Sequence, residues 1–106
     1  MLAQGRYAES KVIFEDIVKG NPDFAAAWSN LGYTLLLLQH DDTLAEKMYD
    51  RALALSPDYK QAQLNKVGVY LYRKNNSAAR KMLEDMLKQD ASNEEAREIL
   101  NKLRTS

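Results

Sequence analysis

The amino-acid sequence predicts an all-α fold, an α-solenoid of short antiparallel helices stacked pair upon pair. A punctuation motif recurs along the chain as "NPDFAAAW" (21–28), "SPDYKQAQ" (56–63) and "DASNEEAR" (90–97). Pro22, Pro57 and Ala91 are 35 and then 34 residues apart, and an alanine follows five positions after each, at Ala27, Ala62 and Ala96. Self-similarity at such a period marks stacked units, none of which can bury its apolar face alone. Between the motifs the apolar residues follow helical spacing, and no strand-like alternation competes.

The elements follow in order. Arg6 to Lys19 reads as a helix with apolar Tyr7, Val12, Ile13, Phe14, Ile17 and Val18, stopped at Gly20. Asn21 and Ser56 are suited to N-cap the next helix of their units, Pro22 and Pro57 to the first helical position, and Asp23 and Asp58 to the positive end of the helix dipole. Phe24 to Leu38 is therefore expected to be helical. A polar turn "QHDDT" follows, then a helix over Leu44 to Leu55. Residues 59–73 and Ala78 to Lys88 form the next pair, joined by "KNNS". The last helix runs from about Asn93 to Arg104, with Ser92 and Glu95 spaced as a capping box. Its apolar residues Ala96, Ile99, Leu100 and Leu103 form one narrow stripe, as expected of a helix that closes a solenoid with a solvated outer face.

Composition narrows the function classes. The chain has 106 residues, 45% hydrophobic and 28% charged, with 15 acids balancing 15 bases. That is ordinary for a globular domain, and zero net charge gives no general pull toward nucleic acid or a membrane surface. The charges are still unevenly spread: Asp41 to Asp50 holds four acids against Lys47, and Lys60 to Lys88 holds seven bases against Glu84 and Asp85. There is no cysteine, hence no disulfide, thiolate metal site or thiol nucleophile. The longest apolar run is too short to span a bilayer, and no signal peptide leads the chain; the cytoplasm is the default expectation. His40 is the single histidine, set in "QHDDT" where adjacent side chains cannot readily converge on one ion. The glycines never cluster into a phosphate loop. No catalytic, metal or cofactor-binding residue is expected, and the chain is read as non-enzymatic.

The repeat resembles the tetratricopeptide repeat, a helix–turn–helix unit of about 34 residues with Trp-x-x-Leu-Gly-x-x-Tyr on its first helix and Ala-x-x-x-Phe on its second. The residues that carry the resemblance are Trp28, Leu31, Gly32, Leu35, Ala45, Tyr49, Ala52 and Pro57 in the middle unit. Gly5, Tyr7, Ser10, Phe14, Ile17 and Pro22 match a second helix alone, and Ala62, Tyr70, Ala79, Leu83, Met86 and Ala91 give a third copy. Gln63, Lys66 and Val67 depart from it, standing where Trp, Leu and Gly are wanted. A register slipped by one residue would instead bury Leu64, Val67, Gly68 and Leu71; the unslipped register needs no insertion and is adopted.

The resemblance implies a right-handed α-solenoid forming one domain over 1–106. It comprises a partial repeat (1–23), full repeats (24–57 and 58–91) and a capping helix (92–106). It also implies a protein-interaction scaffold that binds a peptide or partner segment in a concave groove. The groove positions carried over are Ser29, Asn30, Tyr33, Leu36 and Leu37, with Leu64, Asn65, Gly68, Leu71 and Tyr72 from the next unit. For Leu36 and Leu37, cover by neighbouring helices is the competing reading. Asn30 and Asn65 occupy one repeat position, where amides could grip a peptide backbone without reading its sequence. Some relatives hold chaperone C-terminal carboxylates through groove cations. Ser29, Tyr33, Gln61, Asn65 and Gly68 stand at those positions here, so that ligand class is not expected.

Two other functions stay open. The first helix carries too wide an apolar set for one neighbour, which suggests self-association through Tyr7, Phe14 and Ile17, most simply as a homodimer. Alternatively the chain is a non-catalytic arm of a larger enzyme or redox protein.

Overall fold

The computed structural model describes residues 4–105 and contains six helices among them: α1 (Gln4–Gly20), α2 (Ala25–Gln39), α3 (Asp42–Leu55), α4 (Lys60–Tyr72), α5 (Asn76–Gln89) and α6 (Glu94–Thr105). The described residues contain no strand. Residues 1–3 of the expected partial repeat, and Ser106, lie outside the described residues. The chain divides into two compact units, Met1–Asn65 and Lys66–Ser106, with the boundary inside α4.

In the first unit α2 packs against both α1 and α3. Val18, Ala27, Leu31 and Leu35 form its buried centre, with Phe14, Ile17, Trp28, Leu44 and Met48 packed against them. Each leucine taken wholly out of water contributes about 1.5–3 kcal/mol, so Leu31 and Leu35 hold α2 in place. Gly32 sets how closely α2 and α3 approach. A Cβ there would lie 2.7 Å from Tyr49 Cε1, 3.0 Å from the Ala45 carbonyl oxygen and 3.0 Å from Met48 Cβ. Any side chain at Gly32 would force the helices apart. Arg51 lies over the Trp28 ring, 5.3 Å from its centroid, an arrangement that favours the cation electrostatically.

In the second unit α5 packs against α6. Ala79, Leu83, Met86, Ala96 and Leu100 are buried there. Val67 and Val69 on α4 are buried too, whereas Gly68 is exposed and Leu64 and Leu71 only half-buried. A one-residue slip would have buried Gly68, so α4 adopts the unslipped register. Lys66 is half-buried, and its ammonium lies over the ring of Tyr70, one turn further along α4, 5.9 Å from its centroid.

The helix starts correct the sequence reading. Asn21 and Ser56 N-cap no helix; each opens a β-turn, and Ser56 is the C-cap of α3. The Asn21 carbonyl accepts from the Phe24 N–H at 3.2 Å, and the Ser56 carbonyl from the Tyr59 N–H at 3.1 Å. Pro22 and Pro57 sit at the second turn position, which their fixed φ suits, and α2 and α4 begin three residues after each proline. The third copy has the same turn, Asp90 to Asn93 at 3.1 Å. Ala91 cannot lock φ there, but Asp90 Oδ1 accepts from the Ser92 N–H at 3.1 Å and from its hydroxyl at 2.6 Å. Ser92 is thereby committed to the turn. The cap of α6 is Asn93, whose Oδ1 accepts from the Ala96 N–H at 3.1 Å, in place of the expected Ser92–Glu95 box.

One further bond unites the three turns. Trp28 Nε1 donates to the Pro22 carbonyl at 2.7 Å, Gln63 Nε2 to the Pro57 carbonyl at 3.1 Å, and the Arg97 guanidinium to the Ala91 carbonyl. The donor is six residues after its acceptor each time. Gln63, an outlier by sequence pattern, is buried and satisfied.

The turns within the pairs also match. His40 and Lys74 take left-handed backbone conformations, with φ of 53° and 59°. Each precedes an N-cap: Asp41 Oδ1 accepts from the Leu44 N–H, and Asn75 Oδ1 from the Ala78 N–H. At Lys74 the bonds Lys74 N–H to Leu71 and Asn75 N–H to Tyr70 close a Schellman motif.

Candidate functional site

The best-defined concavity among the expected groove residues lies within the first unit. Asn30, Tyr33, Gln61 and Asn65 line a depression of about 350 Å³. α2 presents Asn30 and Tyr33 one turn apart; α4 presents Gln61 and Asn65 at i and i+4, the spacing at which two helix side chains touch. Gln61 Nε2 donates to Asn65 Oδ1 at 3.0 Å, and Asn65 Nδ2 donates to Ser29 Oγ at 2.9 Å.

These bonds separate the two equivalent asparagines. The Asn65 amide is half-buried and held at both ends, so it braces α4 against α2. The Asn30 side chain is exposed and makes no hydrogen bond among the described residues, leaving its two donors and its acceptor open. Tyr33 stands beside it with 51% of its surface exposed. No lining side chain is charged.

The remaining expected residues are distributed as follows. Ser29 is completely buried beneath Asn65 and offers no surface to a ligand, which corrects its place in the groove set. Leu36 and Leu37 are half-buried, as is Leu38, while Leu35 is core. Leu64 in the first unit is half-buried. In the second unit Gly68 and Tyr72 are exposed and Leu71 half-buried. Gln61, read from the sequence only as a neutral occupant of a carboxylate-binding groove position, joins the lining itself; its further signal was the Gln–Asn pair at i, i+4.

The expected self-association residues also move. Tyr7, Phe14 and Ile17 are half-buried, the last two against the core of their own unit. The large apolar side chains that α1 leaves in water are Val12, 57% exposed, and Ile13, 55% exposed.

Tyr49, behind the depression on α3, is fully buried, and its hydroxyl is the one buried side-chain polar atom among the described residues without a hydrogen-bond partner. Burial first, and the neighbouring Tyr33 second, push its ionisation well above the ordinary tyrosine range. No cluster of His, Asp or Glu among the described residues could hold a metal ion.

Comparison with known proteins agrees with this architecture. Tetratricopeptide repeat profiles match residues 36–103 and residues 2–60. The chain belongs to the tetratricopeptide repeat family. No curated protein matches it. Among solved structures it is similar to the first TPR of Spaghetti (RPAP3) bound to the HSP90 peptide SRMEEVD. The TM-score is 0.83 at 22% identity, over 96% of this chain and 82% of that one. The likeness establishes a shared all-α helical-repeat fold.

Proposed function

We propose that this chain is a non-enzymatic protein-interaction module that takes an extended peptide segment over the depression of Asn30, Tyr33, Gln61 and Asn65. The observation that carries the reading is the unpaired Asn30 amide beside the half-exposed Tyr33 ring, on a floor held rigid by the Gln61–Asn65–Ser29 chain. An amide with open donors and acceptor matches a peptide group, and an exposed phenol ring offers a large contact surface at small entropic cost. The similar repeat domain holds a peptide as well. Here the lining is neutral, which favours an internal segment over a C-terminal carboxylate, because a carboxylate leaving water would meet no cation.

The test is selection of peptides from a random display library on the wild-type chain and on an Asn30→Ala/Tyr33→Ala variant. Both residues are exposed, so the variant should fold as the wild type does. Selected peptides should bind the variant at least about tenfold more weakly, a loss of about 1.4 kcal/mol, and free-acid and amidated C-termini should bind alike. Undiminished binding to the variant would place the site elsewhere. A strong preference for the free acid would refute the neutral-segment reading.

A further inference from the structure

Two surfaces of this chain carry opposite charges around apolar residues. The first is the outer face of α1. Glu9 lies three and four residues before Val12 and Ile13, and Asp16 three and four residues after Ile13 and Val12. Residues at these separations are neighbours on a helix, so the exposed aliphatic pair sits between two carboxylates. Neither Glu9 nor Asp16 has a hydrogen bond or ion pair among the described residues. Arg6 and Lys19 lie a further turn out on either side.

The second surface is a cleft of about 480 Å³ between α5 and α6, within the second unit. Half-buried Leu87 is its accessible leucine, with Leu100 buried at 3% exposure, and the exposed Lys88, Arg97 and Arg104 stand around them. Arg97, Leu100, Asn101 and Arg104 form one i, i+3, i+4, i+7 stripe of α6, and Glu84 of α5 is the one acid in the lining. Glu84 offsets one charge through a loose 3.8 Å pair with Arg104. The Lys88 ammonium has no partner among the described residues. The cleft thus joins an apolar floor to a net positive rim.

We infer that the α5–α6 cleft receives the Glu9–Val12–Ile13–Asp16 face of α1 from a second copy of the chain, so that copies associate head to tail. Val12 and Ile13 pack on Leu87 and the aliphatic stems around it, and the two carboxylates meet the three cations. Glu9, Val12, Ile13 and Asp16 on α1, and Lys88, Arg97 and Arg104 around the cleft, are all exposed. A two-fold dimer through the same α1 face is disfavoured on charge. In an antiparallel pairing centred between Val12 and Ile13, Glu9 of one copy faces Asp16 of the other, and Arg6 faces Lys19. Like charges so placed oppose association. A heterologous contact of this kind leaves one free surface at each end and extends with concentration.

Sedimentation velocity on the full chain over a concentration series reaching high micromolar tests this. The wild type should show a weight-average sedimentation coefficient rising with concentration at low salt and falling back when salt is added. Lys88→Glu and Asp16→Lys each reverse an exposed charge and should keep wild-type helicity by circular dichroism. Each alone should weaken self-association by about tenfold or more. Mixed together they should associate more strongly than either does alone, since the Asp16→Lys cleft still matches the Lys88→Glu α1 face and the two reversed charges are again opposite in sign. A monomeric wild type at low salt overturns the inference. So does a Lys88→Glu chain that associates like the wild type, which is the behaviour of two-fold α1 pairing, and so does a mixture that stays monomeric.

Discussion

The buried hydroxyl of Tyr49 makes a stability prediction with a definite sign. Its ring is fully buried and forms the wall that Gly32 approaches, while its oxygen has no partner. Tyr49→Phe keeps every ring contact and removes only the unsatisfied atom. Leaving a hydroxyl buried and unpaired costs about 1–3 kcal/mol. The space vacated by one oxygen returns a fraction of that in lost dispersion. The net expectation is a gain of about 1–2 kcal/mol, which for a domain of this size raises Tm by about 4–8 °C per kcal/mol. Urea titration followed by helical circular dichroism should show a higher midpoint with an unchanged slope, the mark of altered stability alone.

The pH dependence follows from the same atom. The folded state raises the Tyr49 ionisation, by burial first and then by Tyr33. A raised folded value means that the neutral phenol is the form the fold holds. Its contribution is complete below the ordinary tyrosine value of about 10 and is lost as pH climbs above that. Wild-type stability should therefore fall more steeply in the alkaline range than that of Tyr49→Phe. The absorbance step present in wild type and absent from the variant should coincide with unfolding. A variant less stable than wild type by more than about 1 kcal/mol would refute the reasoning, since it would mean that the hydroxyl makes a net favourable bond.

The glycines and the left-handed turns supply the other predictions. Gly32→Ala should destabilise by about 1–3 kcal/mol because its Cβ meets a backbone carbonyl and a packed ring, whereas Gly68→Ala, with nothing within 4 Å of the added Cβ, should gain up to about 1 kcal/mol in helix propensity; chemical denaturation of the pair checks the contrast. His40→Gly and Lys74→Gly should each stabilise by about 0.5–1 kcal/mol by relieving a left-handed backbone. A loss in either midpoint would show that the native side chain makes a stabilising contact.

Much of the fold was legible because its signals are local and repeated. The alanines at Ala27, Ala62 and Ala96 are all buried, as their spacing implied. The helix starts were misread because Asn-Pro-Asp and Ser-Pro-Asp serve an N-cap and a β-turn equally well; only the bonds from Phe24 and Tyr59 decide between them. The candidate site was harder to read. Ser29 is hidden by Asn65, 36 residues away, and nothing near position 29 announces that. On α1 the apolar set spans most of the helix, and composition cannot say which part faces inward. Val18 with Phe14 and Ile17 turned inward, and Val12 and Ile13 were left in water.

The shared bond at the three inter-repeat turns bears on how such chains diverge. An indole, a carboxamide and a guanidinium satisfy the same carbonyl, at Pro22, Pro57 and Ala91. The position therefore selects for an N–H of adequate reach, a functional group shared by side chains of unlike size, charge and hydropathy. Sequence similarity scores such exchanges as losses, although the turn is preserved through each of them. A repeat can consequently drift beyond recognition at its most conspicuous residue and keep its geometry, provided that one donor is still delivered to one oxygen.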